Sequence, residues 1–221
     1  MVDQPVPEGG YRGKDGKEII LNDKIPLRIF LADNSSKTIL ADNDTLAKDV
    51  VATIAGKLNL KHPERDAAYF SLYESADGSI VDHPVHGDAP VLDAQSNCAK
   101  LVFMLKIFTA SALSSPDPKM QHLLYIQAVH NVITTSYKCS DELVIALAAL
   151  RLQVQFGAHN TRVHKPGFLT DQLMEYVPIS ALGHLRPANW EDNIFSEHKA
   201  LGNMSARQAK AKFLERSEFY A

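Results

Sequence analysis

The sequence predicts an α+β chain with two lobes, one of strands around a helix and one of helices alone. Apolar residues alternate with polar ones along short segments of the first half, as in half-buried strands. One segment of that half, and most of the second half, repeats apolar residues every three or four positions, as in helices. Residues 114–118, Ser-Ser-Pro-Asp-Pro, separate the two patterns and predict a linker.

The first lobe is expected to begin with a hairpin, after a polar and flexible leader over residues 1–24. Residues 25–32 alternate apolar and polar positions, which predicts a strand. Residues 33–36, Asp-Asn-Ser-Ser, have the composition of a turn. The chain then returns through a second strand over residues 37–41.

A single helix and further strands complete the predicted first lobe. Thr45 is the expected cap of the helix, and Asp49 lies near its positive N-terminal end. The apolar face of this helix consists of Leu46, Val50, Val51, Ile54 and Leu58. Strands are predicted over residues 69–74 and 100–108, with short ones near residues 79–81 and 91–92. This order is typical of the β-grasp, or ubiquitin-like, architecture, and the lobe is assigned to residues 25–109.

The second lobe, residues 110–221, is predicted to be a helical bundle. Asp117 and Pro118 fit the cap and first position of its first helix. A second helix opens at Ser140 and stops at Gly157. Shorter helices are expected over residues 170–176 and 190–201, and a last one begins at a capping box formed by Ser205 and Gln208.

Composition excludes several classes of function. The chain has a net charge of −3, so it lacks the basic excess of a general nucleic-acid binder. The second half carries a charge of +1 and six of the nine histidines, and it is the better candidate for contact with an anionic surface.

No apolar run approaches the length of a membrane span. Two cysteines do not form a disulfide framework, which predicts a cytoplasmic protein.

Several motifs resemble one known family. Residues 152–160 and 164–169, Leu-Gln-Val-Gln-Phe-Gly-Ala-His-Asn and His-Lys-Pro-Gly-Phe-Leu, are similar to the middle lobe of FERM domains of the talin kind. Residues 194–199 and 203–214 resemble the last two helices of that lobe. Residues 31–42 and Phe-Ser-Leu at 70–72 are similar to the ubiquitin-like lobe of FERM domains in talins and tail-bearing myosins. The resemblance covers residues 25–219, and the third FERM lobe would begin where this sequence ends.

The resemblance implies a non-catalytic cytoskeletal adaptor without a cofactor. Its expected partners are acidic phospholipids of the inner leaflet, receptor tails or other adaptors, and the cortical actin machinery. The expected location is the cell cortex, peripheral at the plasma membrane. A cargo-binding fragment of an unconventional myosin tail is an alternative of the same class. A fragment that docks within a longer parent chain is a third.

A basic surface on the helical lobe is the main candidate site. The resemblance implies that this surface faces the membrane, with Lys165 and Lys199 at matching motif positions. Each such charge near an anionic leaflet contributes about 1 kcal/mol. An ordinary solvated, salt-bridged surface remains an alternative, because acidic residues lie nearby in the sequence. The candidate lipid-binding residues are Arg162, His164, Lys165, Lys199, Arg207, Lys210 and Lys212.

An enzyme is the alternative of another class. Cys139 precedes a helix start, where a thiolate is favoured, and His130 and Asp141 lie on neighbouring elements. No family signature surrounds Cys139, so a packed or partly exposed structural cysteine is the preferred interpretation. His83 and His86, with Asp82 and Asp88, resemble a metal-ligand cluster, although metal sites need fixed ligands and these lie in a Pro- and Gly-containing loop. His159 and His164 flank a turn, where loop hydrogen bonding is the preferred role. The aromatic residues expected in the helical core are Phe156, Phe168, Trp190, Phe195 and Phe213.

Overall fold

The two predicted lobes are both present in a computed structural model of the chain. It describes residues 24–76, 81–106, 115–134 and 139–217, together with the backbone of residues 10–12 and 18–20. A four-stranded mixed sheet with a helix packed on it is followed by a region of helices alone, which confirms the predicted α+β class.

The strands follow the β-grasp order. The central strands pair in parallel, as Ile29 with Leu101 and Phe30 with Val102, and an antiparallel strand flanks each of them. In chain order the strands are β1 Gly10–Arg12, β2 Glu18–Ile20, β3 Ile25–Phe30, β4 Ser36–Ala41, β5 Phe70–Ser75 and β6 Lys100–Leu105. The order in the sheet is β4-β3-β6-β5, while β1 and β2 form a separate two-stranded antiparallel sheet. This small sheet lies within the predicted leader, and the sequence patterns did not predict it.

The turn between β3 and β4 has the predicted chemistry. Asn34 has a φ of 62°, a conformation that Asn tolerates better than most residues. The Asp33 carboxylate accepts hydrogen bonds from both the backbone N–H and the hydroxyl of Ser35. Local side-chain bonds of this kind fix the hairpin register.

Helix α1, Ala47–Lys57, packs its buried residues against the sheet, but Thr45 does not cap it. The Thr45 hydroxyl instead donates to Asp42 Oδ1 at 2.5 Å and accepts from the Asp42 N–H at 2.9 Å. The helix cap is Leu46, which makes no side-chain capping bond. The predicted cap was therefore wrong by one position, because Asp42 engages the hydroxyl in the preceding turn.

The segment between β5 and β6 also differs from the prediction. Residues 91–92 were expected in a strand, but they open helix α3, Val91–Ser96, which follows the short helix α2, Pro63–Asp66. The Val91 N–H donates to the Thr45 carbonyl, so α3 is anchored beside the start of α1. Of the strand expected at residues 79–81, residues 79–80 lie outside the described residues and Val81 is not in a strand.

The caps of the helical lobe lie where the sequence predicted, but the helix expected to begin at Trp190 begins at Pro187. Asp117 Oδ1 accepts from the Lys119 N–H, Ser140 Oγ accepts from the Leu143 N–H, and Ser205 exchanges capping bonds with Gln208. The helices are α4 Pro118–Thr134, α5 Asp141–Phe156, α6 Leu173–Tyr176, α7 Pro187–Ala200 and α8 Ala206–Ser217. Gly157 and Gly202 follow α5 and α7 with φ values of 73° and 57°.

The apolar core does not divide at the lobe boundary. Two lobes were predicted from the sequence, but their buried apolar side chains do not form one core for each lobe. One continuous cluster instead joins the sheet and α1 to α4, α8 and one face of α5. A second cluster, around Trp190 and Leu152, joins the other face of α5 to α6 and α7. Asp117 also links the lobes, because its Oδ2 accepts from the Lys61 N–H at 2.8 Å. Among the described residues, no helix is long and apolar enough to cross a bilayer.

Candidate functional site

The candidate basic surface is carried in part by the loop of residues 157–169, which follows α5. Glu191 of α7 holds the far end of this loop. Its two carboxylate oxygens accept from the Gly167 and Leu169 N–H groups, each at 2.6 Å. Glu191 is only 5% exposed, so these charge-assisted bonds are shielded from water. The loop is therefore fixed against α7 at its far end.

Three histidines fill the space between this loop and α7. The ring centroid of His164 lies 5.0 Å from that of His159 and 5.0 Å from that of His198. The centroids of His159 and His198 are 5.4 Å apart. His198 comes from the last turn of α7, and the other two come from the loop. We call His159, His164 and His198 the histidine cluster.

Hydrogen bonds orient the rings of the histidine cluster. The Asn160 N–H donates to His164 Nδ1 at 3.0 Å, and His198 Nε2 donates to the Gly157 carbonyl at 2.8 Å. Burial lowers the pKa of both His164 and His198, and the neighbouring imidazoles lower it further. Both shifts favour the neutral form of the ring, although the bond to Gly157 acts to raise the pKa of His198.

Two of the predicted lipid-binding lysines directly follow members of this cluster in the sequence. Lys165 directly follows His164 and Lys199 directly follows His198, and the ring centroids of these two histidines lie 5.0 Å apart. Both are exposed, as is Arg162 on the same loop. Among the described residues, none of these three cations forms an ion pair with a carboxylate. We call Arg162, Lys165 and Lys199 the basic corner.

His164 does not belong to that surface. It was expected among the lipid contacts, but it is 5% exposed and its ring is enclosed by other aromatic rings. The His164 ring therefore packs inside the lobe and is not available for contact with a membrane. The alternative from the sequence, loop hydrogen bonding, agrees with the bond that it accepts from Asn160.

The three candidates on α8 do not form one surface with each other. Arg207 and Lys210 are three residues apart and share a helix face, whereas Lys212 lies on a different face. Lys210 is half-buried, and its Nζ lies 3.2 Å from His122 Nδ1 and 5.5 Å from the ring centroid of Tyr125. Burial lowers the pKa of Lys210. Lys210 thus faces the junction between the lobes.

That junction contains a groove of about 600 Å³. Asp33 and Asn34 of the β3–β4 turn line one side. Residues of α4 and α5 line the other, together with Met174 and Lys210. The lining combines apolar side chains with charges of both signs, and Met174 is 58% exposed.

Asp141, one member of the alternative thiol site, has a different histidine as its partner. Burial raises the pKa of the Cys139 thiol, which disfavours the thiolate and agrees with the structural role preferred from the sequence. The Asp141 carboxylate lies 2.7 Å from His184 Nδ1. His130 is on α4, where burial lowers its pKa.

The metal alternative at His83 and His86 is not supported by their surroundings. Both are exposed, and His86 Nδ1 accepts from the Asp88 N–H. Asp88 forms an ion pair with Lys48 at 2.6 Å. In the described part of the chain, the group with metal-ligand spacing is the histidine cluster instead.

The aromatic residues predicted in the core divide into three groups. Trp190 and Phe213 are fully buried. Phe168 and Phe195 are half-buried and pack against the second core cluster. Phe156 is 47% exposed and contacts the rings of His164 and Phe168 at the edge of the loop, so its placement in the core was wrong.

Sequence reasoning missed two residues that organise this site, Glu191 and His198. A signal was present in the spacing. Trp190, Ile194 and His198 recur every four residues, which places the histidine on the apolar face of α7. Glu191 borders the same face. A polar residue in an apolar stripe indicates a buried hydrogen-bonding role.

The sheet order, the helical lobe and the shared core together define a two-lobe FERM-type module. Residues 112–218 match the family model described as FERM central domain, and residues 23–121 match the one described as RA like domain. Talin-A of Dictyostelium discoideum is 31% identical over 86% of this chain and 7% of its own length. The chain thus spans a small part of this relative.

Solved structures show the same fold. The FERM domain of Drosophila Merlin, in complex with its C-terminal domain, aligns with a TM-score of 0.70 and 20% identity, over 88% of this chain and 65% of that one. The MyTH4-FERM domain of human myosin 7b, in complex with harmonin-a PDZ3, aligns with a TM-score of 0.64 and 21% identity. This alignment covers 87% of this chain and 41% of that one. The chain is talin-like and contains the ubiquitin-like and central lobes of a FERM domain.

Proposed function

We propose that this chain is an adaptor module that links acidic membranes or receptor tails to cortical actin, and that the basic corner is its lipid contact. The observation that carries the proposal is the exposure of Arg162, Lys165 and Lys199 on adjoining elements without a carboxylate partner among the described residues. Unpaired cations attract an anionic leaflet without first breaking an ion pair.

The support beneath the basic corner favours such a contact. Glu191 fixes the loop that carries Arg162 and Lys165, while α7 carries Lys199. A fixed set of cations loses less side-chain and loop entropy on binding than a mobile loop would. The burial of His164 beneath Lys165 further restricts the loop.

A talin-type adaptor is favoured over a fragment of a myosin tail. The sequence identity to Talin-A is 31%, whereas the identity to the myosin structure is 21%, so the myosin structure supports the fold alone. The relationship to FERM proteins points to a non-catalytic module. The Merlin and myosin 7b domains are each described in complex with a protein domain, which supports a protein partner for this module as well.

Vesicle binding tests the lipid contact. The 221-residue chain should sediment with vesicles containing phosphatidylserine and not with neutral phosphatidylcholine vesicles. The double variant Lys165→Glu/Lys199→Glu should lower the partition coefficient at least about 30-fold, because losing two cations near the leaflet removes about 2 kcal/mol. High salt should weaken the binding of the wild-type chain by screening.

A matched control separates local contact from net charge. Lys57→Glu/Lys119→Glu changes the charge equally at two exposed positions outside the basic corner. It should retain most of the binding. Equal loss in both double variants, or equal binding to neutral and acidic vesicles at low salt, would refute the proposed contact.

A further inference from the structure

We propose that the histidine cluster is a binding site for a divalent transition-metal ion of the Zn²⁺ class. One potential ligand nitrogen from each of His159, His164 and His198 lies within 4.8 Å of the other two. Imidazole is a preferred ligand of Zn²⁺, and three histidines with one open position form a recurrent zinc set.

The spacing of the rings fits a tetrahedral ion. With Zn–N bonds of about 2.0 Å, a tetrahedral centre holds the centroids of its imidazole ligands about 5.2 Å apart. The three observed centroid separations are 5.0, 5.0 and 5.4 Å. The rings thus already have the separation that such a centre requires, and adjustment of their tilt would bring the nitrogens to bonding distance.

Unpartnered nitrogens provide an independent indication of a ligand. His159 Nδ1, His164 Nε2 and His198 Nδ1 are buried and have no hydrogen-bond partner among the described residues. His164 is 95% buried and His198 is fully buried. Buried polar atoms in proteins are nearly always satisfied, so three orphans in one cluster require an explanation. A shared metal ion would satisfy all three.

The tautomer of His198 is already that of a metal ligand. Its Nε2–H donates to the Gly157 carbonyl, which leaves a lone pair on Nδ1. Zinc-binding histidines commonly donate their second N–H to a backbone carbonyl, a bond that fixes the ring and raises its basicity. Gly157 therefore acts as the outer support of this ligand.

His164 has to change tautomer when it binds the ion. Its Nδ1 accepts from the Asn160 N–H, so in the neutral ring the proton is on Nε2. Ligation through Nε2 moves that proton to Nδ1, and the Asn160 N–H must then turn away. Metal binding is thus coupled to the turn at Asn160, which begins the segment carrying Arg162 and Lys165.

Metal titration of the whole chain tests the site. After removal of metal with a chelator, Co²⁺ should bind with one equivalent per chain and give the strong visible absorption of a tetrahedral centre, and Zn²⁺ should displace it. His159 is only half-buried, so the variant His159→Gln is expected to fold. It should lower the affinity for Zn²⁺ at least tenfold. Removing a residue that only supports a ligand already lowers metal affinity by about tenfold or more, and removing a ligand should cost at least as much.

The control variant is His83→Gln/His86→Gln, which removes the exposed pair of histidines and should leave affinity unchanged. The NMR signal of the Asn160 amide should shift on Zn²⁺ binding in the wild-type chain. Three results would each overturn the site: no Co²⁺ binding, equal affinity in His159→Gln, or loss of affinity in the control. An unmoved Asn160 amide in the Zn²⁺-bound chain would also overturn it.

Discussion

The side-chain amide of Gln127 completes the hydrogen bonding of Leu105 at the end of strand β6. The Leu105 N–H donates to Gln127 Oε1 at 2.7 Å, and Gln127 Nε2 donates to the Leu105 carbonyl at 3.2 Å. The pairing of β3 with β6 reaches only Phe30 and Val102, so the sheet itself does not satisfy this side of Leu105. A residue of the helical lobe thus extends the sheet of the other lobe.

Replacing Gln127 should destabilise both lobes together. Gln127→Leu is expected to lower the free energy of unfolding by about 2–4 kcal/mol, since it leaves a buried N–H and a buried carbonyl unsatisfied. Because one apolar cluster spans both lobes, a single unfolding transition should shift. Urea denaturation followed by circular dichroism measures this. Gln172→Leu, at an exposed position, should change stability by less than about 0.5 kcal/mol.

The loop held by Glu191 gives a second prediction. Glu191→Gln removes one of the two oxygens that accept from Gly167 and Leu169, and it turns an amide N–H₂ toward a backbone donor. We expect a loss of about 1.5–3 kcal/mol, the range for hydrogen bonds to a charged group. Denaturant titration measures the loss, with the exposed variant Glu197→Gln as control. Equal stability of the two variants would contradict the anchoring role.

Hydrogen exchange adds a local test of the same anchor. In Glu191→Gln, the Gly167 and Leu169 amides should lose protection, because their acceptor is weakened while the core of α5 is unchanged. Amides in the middle of α5 provide the internal reference. Unchanged protection at Gly167 and Leu169 would show that the loop is held by other contacts.

Helix caps and boundaries could be predicted from the sequence where neighbouring residues determine them, but not where more distant contacts do. The Ser205–Gln208 capping box and the stop at Gly157 were predicted, because they follow from the residue types at neighbouring positions. The cap at Thr45 was wrong because Asp42, three residues earlier, competes for the hydroxyl. Helix α3 was missed because six residues are too few to show helical periodicity.

The surroundings of the candidate basic residues depend on contacts that the sequence does not show. Lys165 and Lys199 are candidates from the sequence, but the contact between the residues that precede them, His164 and His198, joins positions 34 apart on different elements. The burial of His164 was not predicted, since a histidine between an apolar residue and a lysine has no local pattern that indicates burial. Long-range packing alone determines it.

Four histidines whose pKa values are lowered by burial predict acid sensitivity. The pKa values of His122, His130, His164 and His198 all lie below their ordinary value of 6.5. Below that pH the unfolded chain therefore binds more protons than the folded one, and stability is lost as the pH falls from about 6.5. Thermal unfolding of the metal-free chain between pH 7.5 and 5 should show a steadily falling midpoint.

One variant tests whether the histidines cause this pH dependence. His130 lies on α4, and the lowering of its pKa is due to burial alone. His130→Gln should reduce the slope of stability against pH, whereas His62→Gln, at an exposed position, should not change it. Asp42 and Asp88 have lowered pKa values, and they lose their contribution only near and below pH 4. A flat profile between pH 7.5 and 5 would contradict the histidine assignment.

Two glycines offer a matched comparison of backbone conformation. A Cβ atom added at either Gly56 or Gly157 meets no heavy atom within 4 Å, so steric contact does not distinguish the two sites. Gly56 lies within helix α1, where Gly56→Ala should raise the free energy of unfolding by up to about 1 kcal/mol. Gly157 has φ 73° and ψ −149°, a region that only glycine occupies readily.

Gly157→Ala should therefore destabilise the chain by about 1–3 kcal/mol, the cost of a strained backbone conformation. Denaturant unfolding of both variants under one set of conditions measures the opposite signs. The Gly157 carbonyl accepts from His198, so relief of the strain would also disturb the histidine cluster. A shift of the His198 ring signals in Gly157→Ala, absent in Gly56→Ala, is expected. If Gly157→Ala were as stable as the wild type, the positive φ of Gly157 would not be needed to orient its carbonyl toward His198.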